Sequence, residues 1–186
     1  MVYLSALWLP ILLSAVLVFI ASSIIHMVLQ IHKNEYKKLP GEENLLEAMR
    51  KEGLARGEYM FPCAPSFKES GSPEMQEKYK RGPCGIMTVL PSGAPAMVKG
   101  LVLWFFYSVV ISVFVAYIAS RTLSAGTPYL SVFRITGAVA VLAYAVSYLP
   151  DYIWRGKPLG ATFWHVFDGV VYGLLTAGVF GWLWPS

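Results

Sequence analysis

Residues 1–31 contain no Lys, Arg, Asp or Glu, and residues 101–120 and 135–150 contain none either. An uncharged apolar run of roughly twenty residues is long enough to cross the ~30 Å hydrocarbon core of a bilayer as a helix. Buried helices of soluble proteins rarely run past ~18 such residues. The chain is 14% charged, against about 25% in a soluble domain, and nearly all of its charge lies between His32 and Lys99. Apolar blocks around one charged block predict an all-α membrane protein, a bundle of four transmembrane helices. The spans are expected at about 7–31, 101–120, 132–149 and 161–183, within a single membrane domain covering 1–186. The first apolar block has no Lys or Arg before it and is longer than the roughly 7–15 residues of a signal-peptide core, so it reads as a retained helix. The third span is expected to stop at Pro150-Asp151, and the fourth to end in the aromatic anchor Trp182-Leu183-Trp184-Pro185.

With four spans, the segments 32–99 and 151–160 share one side, and they hold thirteen of the 15 Lys and Arg residues. The positive-inside rule therefore places the loop 32–99 in the cytoplasm and both termini outside, in a cell (inner) membrane. Arg134 lies near the opposite face and is expected to snorkel to the headgroups. In the cytoplasm Cys63 and Cys84 stay reduced; a disulfide between them is the alternative if the loop faces an oxidising space.

The loop itself carries signals of structure. Glu42 to Glu52 reads as a short helix, with acidic residues at its start and a Glu47–Lys51 pair four apart. Glu58–Phe61 and Gly85–Leu90 are strand-like runs, each closed by Pro, and Ser72-Pro73-Glu74 opens another helical stretch toward Lys80. These pieces are expected to form a small extramembrane cap lying against the membrane, with the two runs paired as an antiparallel ribbon. Interfacial coil around one helix is the competing reading.

The spans carry stripes of small residues, the usual means of close helix contact in lipid. Gly169, Gly173, Ala177 and Gly181 lie four apart on the fourth span. Ser108, Ser112, Ala116 and Ser120 do so on the second, and the third has Thr136 with Ala140 and Ala143 with Ser147. Each spacing places its members on one helix face. Such stripes serve packing inside the bundle, self-association, or a membrane partner.

Ionisable groups inside a span mark candidate sites. His26, Asp168 and, near a boundary, His165 are those groups. His26 lies about 9 Å below the loop-side end of the first span, and His165 and Asp168 about 6 and 10 Å below the loop-side start of the fourth. All three thus share one depth. Ser22, His26 and Gln30 make a polar stripe, and His165 is in register with the Gly169 stripe. A His–Asp pair across two helices can hold them together. It can also relay protons or couple ions, or bind a metal with a third ligand from the loop. Two histidines at one depth also admit a haem. The sequence requires no cofactor.

Other chemistry is missing from the sequence. It has no phosphate-binding loop, no G-x-S-x-G elbow, no HExxH and no dinucleotide fingerprint. The basic residues of the loop alternate with Glu, which disfavours nucleic acid and suits a surface facing anionic lipid. Tyr36-Lys-Lys-Leu-Pro40, Glu58-Tyr-Met-Phe-Pro-Cys63, Val115–Leu123 and Leu174–Pro185 resemble a family of small bacterial four-span integral membrane proteins of unknown activity. The resemblance implies a bacterial membrane setting and transfers no functional residue. The leading expectation is a non-enzymatic accessory, assembly or structural subunit of a membrane complex, or a homo-oligomer. The alternative is a proton- or metal-linked transporter or redox protein using His26, His165 and Asp168. A membrane enzyme with its site between cap and bundle is a weaker third.

Overall fold

The computed structural model describes residues 2–186. In chain order its elements are α1 (Trp8–Ser23), α2 (Glu42–Lys51), β1 (Gly57–Phe61), α3 (Phe67–Ser70), α4 (Pro73–Arg81), β2 (Gly85–Val89), α5 (Met97–Thr122), α6 (Tyr129–Tyr144), α7 (Leu149–Arg155) and α8 (Leu159–Trp182). A 3-10 turn, Leu4–Leu7, leads into α1, and the π-helical segment Ile24–Leu29 continues it. Two compact units result: residues up to Tyr36 together with Ala96–Ser186, and Lys37–Pro95 between them.

The first unit is a four-helix membrane bundle. Among the described residues, four helical stretches are long and apolar enough to cross a bilayer: Leu4–Leu29, Met97–Thr122, Tyr129–Arg155 and Leu159–Trp182. Backbone groups in hydrocarbon must bond internally, which restricts such spans to helices here. The third span does not stop at Pro150. A 3-10 turn over Val146–Tyr148 passes into α7, where Pro150 occupies the first turn. There its missing N–H costs nothing, because the first amides of a helix have no intrahelical acceptor. The first span ends earlier than Ile31: Gln30 adopts a left-handed conformation (φ 50°) and terminates the helix at Leu29.

Each helix contacts the next in sequence, and α8 closes the ring by packing on both α6 and α1. The α6–α8 contact is the most extensive. It rests on the small residues of α8. A methyl group added at Gly169 would lie 2.5 Å from the Cα of Ala145 and the carbonyl oxygen of Tyr144. At Gly173 it would meet Val141 Cγ2 at 2.5 Å, and at Gly181 the ring of Tyr129 at 2.7 Å. Ala177, fully buried, faces Gly137 across the same seam. Between α1 and α5, the buried Ser14 and Ser112 hydroxyls bond each other at 2.9 Å, and Ser108 and Ala116 are buried on the same helix. Leu12, Val16 and Ile20 on α1, and Phe106, Val110 and Phe114 on α5, form outward apolar faces suited to lipid.

In the second unit, β1 and β2 pair as an antiparallel ribbon with Gly57 opposite Val89 and Phe61 opposite Gly85. Helix α2 opens with Glu42 and Glu43 and closes with Arg50 and Lys51, each charge complementing the helix dipole. The Ser72 hydroxyl caps α4 by accepting from the Met75 amide. Cys63 and Cys84 are free, exposed thiols.

The glycine contacts generate a contrast within one helix. Gly169→Ala forces backbone against backbone and is expected to destabilise the bundle by roughly 1–3 kcal/mol. Gly178→Ala, whose added methyl meets nothing closer than 3.8 Å, should change stability by about 0.5 kcal/mol or less. Thermal unfolding of both variants in the same nanodisc preparation checks this; equal melting temperatures would refute the packing assignment.

A stacked histidine and carboxylate cluster

The chain has 3 histidines, and all of them meet at the loop-side end of the bundle. His26 comes from the π segment of the first span, where its Nδ1–H donates to the Ser22 carbonyl at 3.0 Å. This bond fixes the ring and leaves Nε2 as the outward nitrogen. His32 comes from the turn that follows the left-handed Gln30. In that turn the Lys33 amide bonds the Gln30 carbonyl and the Glu35 amide bonds the His32 carbonyl. The reversal lays the His32 ring flat on His26, with ring centres 4.4 Å apart and planes within 8°. His165, from α8, stacks on the other face of His32 at 4.7 Å and 29°. Tyr148, from the 3-10 turn, closes the stack against His165 at 4.7 Å and 9°.

Two carboxylates clip the stack from its edges. Asp168 of α8, 2% exposed, has its Oδ2 2.8 Å from His32 Nε2 and 3.8 Å from His26 Nε2. Glu35 places Oε2 3.3 Å from His32 Nδ1 and Oε1 2.8 Å from His165 Nε2. Burial pushes the Glu35 carboxyl up, but hydrogen bonding and charge attraction from His165 and then His32 outweigh it and hold the group below the usual carboxylate range. Asp168 Oδ1 and the Tyr172 hydroxyl are buried and have no hydrogen-bond partner among the described residues.

The sequence singled out His26, His165 and Asp168, and the structure brings these three to one place. Across two helices, His26 Nε2 lies 3.8 Å from Asp168 Oδ2, while His165 bonds Glu35. Gln30 leaves the expected polar stripe, because the helix ends there. His32 and Glu35 were missed, since they lie past the span in what reads as loop. One signal was present: His32–Glu35 and His165–Asp168 share the spacing His-x-x-acid.

Among the described residues, two groups of side chains offer three metal-ligand atoms within 4.8 Å of one another: His26, His32 and Asp168, and His32, Glu35 and His165. They are not equivalent. Imidazole binds a metal in its ring plane, and the near-parallel rings of His26 and His32 send their lone pairs side by side. The His32–Glu35–His165 group has tilted rings with a carboxylate between their nitrogens. A haem does not fit between these histidines, because the rings lie face to face with no slot for a macrocycle.

A cavity of about 390 Å³ adjoins the cluster, lined mainly by apolar and aromatic side chains. Trp104 forms part of its wall and donates its indole N–H to the Ser22 hydroxyl at 2.8 Å.

No known protein family, curated protein or solved structure matches the chain.

The depressed Glu35 carboxyl fixes a sign. Its protons bind less readily in the folded state, so its stabilisation is complete above the ordinary value of 4.5 and is lost as pH falls through the lowered one. Melting temperature should therefore decline below about pH 4.5, and more steeply in the wild type than in Glu35→Gln. Parallel slopes would show that Glu35 is not held by the histidines.

Proposed function

We propose that this multi-pass membrane protein works through a transition-metal site held by His32 Nδ1, His165 Nε2 and Glu35. One observation carries the reading: both ring nitrogens of His32 face carboxylate oxygens. A neutral imidazole has a single N–H. If that hydrogen lies on Nε2, in the 2.8 Å bond to Asp168, Nδ1 presents a lone pair to Glu35 at 3.3 Å. Two facing acceptors need a cation between them. Two ligand atoms each ~2.0 Å from a tetrahedral ion lie about 3.3 Å apart, the spacing of His32 Nδ1 and Glu35 Oε2; His165 Nε2, now 2.8 Å from Oε1, would move outward to join them. Asp168 then acts as the carboxylate that orients a metal-binding histidine. Three protein ligands leave one position for water or substrate, the pattern of a working rather than a purely structural site. Imidazole with carboxylate suits zinc or divalent iron or manganese.

A second reading has its own observation. The 2.8 Å His165–Glu35 and His32–Asp168 contacts are complete hydrogen bonds as they stand, so a second proton on His32 also satisfies the cluster. The site is then a proton relay of a coupled transporter or redox protein. The accessory or homo-oligomeric role has a weaker footing, because Gly169, Gly173 and Gly181 are engaged by α6 inside the bundle. A bacterial inner membrane with segment 32–99 in the cytoplasm is the setting proposed, which puts the cluster at the cytoplasmic face.

Metal analysis of the protein, purified without chelator and then titrated with zinc, iron and manganese salts, separates the readings. The metal reading expects close to one ion per chain, lost in His32→Ala and weakened about 10–100-fold in Asp168→Asn. A metal-free protein that binds none of the three ions overturns it in favour of the relay. The orientation has its own check in the two exposed thiols. A membrane-impermeant maleimide should label Cys63 and Cys84 only after cells are permeabilised; labelling of intact cells reverses the topology.

A further inference from the structure

Helix α2 is amphipathic, and its apolar side is uncovered. Helical spacing puts Leu45, Leu46 and Met49 on one face and Glu43, Glu47 and Lys51 on the other. None of its ten residues is buried. Leu45 is 41% and Leu46 37% exposed, and α2 has no extensive contact with another element among the described residues. A helix this short is marginal in water by itself, since isolated helices below about 12–15 residues gain too little from their own hydrogen bonds. Most helical stability comes from packing an apolar face, so this face needs an occupant.

The chain before α2 indicates which one. Glu35 is held by its bond to His165, at the loop-side end of the fourth span. From Tyr36, the last residue of the bundle unit in this part of the chain, to Glu42 the chain advances six residues. That connection reaches at most about 20 Å when fully extended. Helix α2 therefore begins within that distance of the bilayer surface from which its own first span emerges. Lys33, Lys37 and Lys38 stand along the connection, all exposed, with the exposed Tyr36 and Leu39 among them. Basic side chains just past a span attract anionic headgroups, and an aromatic ring among them fits the headgroup layer. The occupant must offer an apolar layer at this height with negative charge beside it.

We propose that α2 is an interfacial helix docked on the anionic phospholipid surface next to the first span. Leu45, Leu46 and Met49 enter the boundary between headgroups and acyl chains, and Glu43, Glu47 and Lys51 face water. Lys33, Lys37 and Lys38 hold the connection on lipid phosphates. Three apolar side chains would bind a free peptide weakly, but the first span tethers this helix at an effective concentration on the order of millimolar. The surface shares no residue with the histidine cluster, so it stands whichever reading of that site holds.

The test is spin-label accessibility in the full-length protein, with Cys63→Ser and Cys84→Ser to remove the native thiols. A nitroxide is attached at Leu46→Cys or, on the opposite face, at Glu47→Cys. Both positions are exposed, so the bundle should keep its melting temperature. The nanodiscs hold equal parts phosphatidylglycerol and phosphatidylcholine. Oxygen, which concentrates in lipid, should reach the Leu46 label in preference to a water-soluble nickel chelate. The oxygen-to-nickel ratio there should exceed that at Glu47 by about fivefold or more. Pure phosphatidylcholine, or replacement of Lys33, Lys37 and Lys38 by Ser, should at least halve that contrast. Equal ratios at the two positions overturn the proposal, because the helix then lies in water. A Leu46 label shielded from both reagents also overturns it, since protein rather than lipid then covers the face. An undiminished contrast in pure phosphatidylcholine overturns the choice of anionic lipid.

Discussion

Asp168 sits 2% exposed in the packed face of an apolar helix, and the geometry of this end of the bundle follows from it. An ionised carboxylate taken out of water costs several kcal/mol unless it is paired and hydrogen-bonded. The partner comes from the turn after the neighbouring first span, as His32 at 2.8 Å. To deliver it the first span must end early and reverse, which accounts for the left-handed Gln30 and the turn after it. The π segment just before, with its wider turn, is the kind of helical irregularity found at working sites. Once His32 is in place, its second nitrogen needs a partner, and Glu35 of the same turn provides one.

The small residues set where Asp168 can be. Gly169 is its neighbour in sequence and lies against the Ala145 backbone. That approach draws α8 onto the end of α6, and the 3-10 turn at Val146–Tyr148 begins at the same level. The turn carries Tyr148 onto the open face of His165. Helix packing and polar chemistry are therefore not separate systems. The seam that holds α6 to α8 also positions one end of the ring stack, while the Ser22 carbonyl on the first span holds His26 at the other.

The fold was largely legible because its main determinant is length of uncharged apolar sequence, which needs no tertiary knowledge. The ribbon of the loop unit was legible as two strand-like runs. Span ends were less so. Pro150 reads as a stop, and it is one for an α-helix interior, but the 3-10 turn restarts the count and makes it a first-turn residue. The common depth of His26, His165 and Asp168 followed from helical rise alone. His32 and Glu35 escaped because their positions depend on a chain reversal that no periodicity encodes. The bond from His165 to Glu35 escaped for the same reason.

Exposure is uneven across the cluster. A clasp is best closed on every side, since water weakens its electrostatics. Here Asp168 is closed while the His26 side chain is 45% exposed. Glu35 belongs to the turn beyond the end of the first span, toward the aqueous side, whereas the adjoining cavity is rimmed by residues within the spans. The ring stack thus lies between two media. His32 bonds both carboxylates, Asp168 through Nε2 and Glu35 through Nδ1, and so ties the two edges of the cluster together.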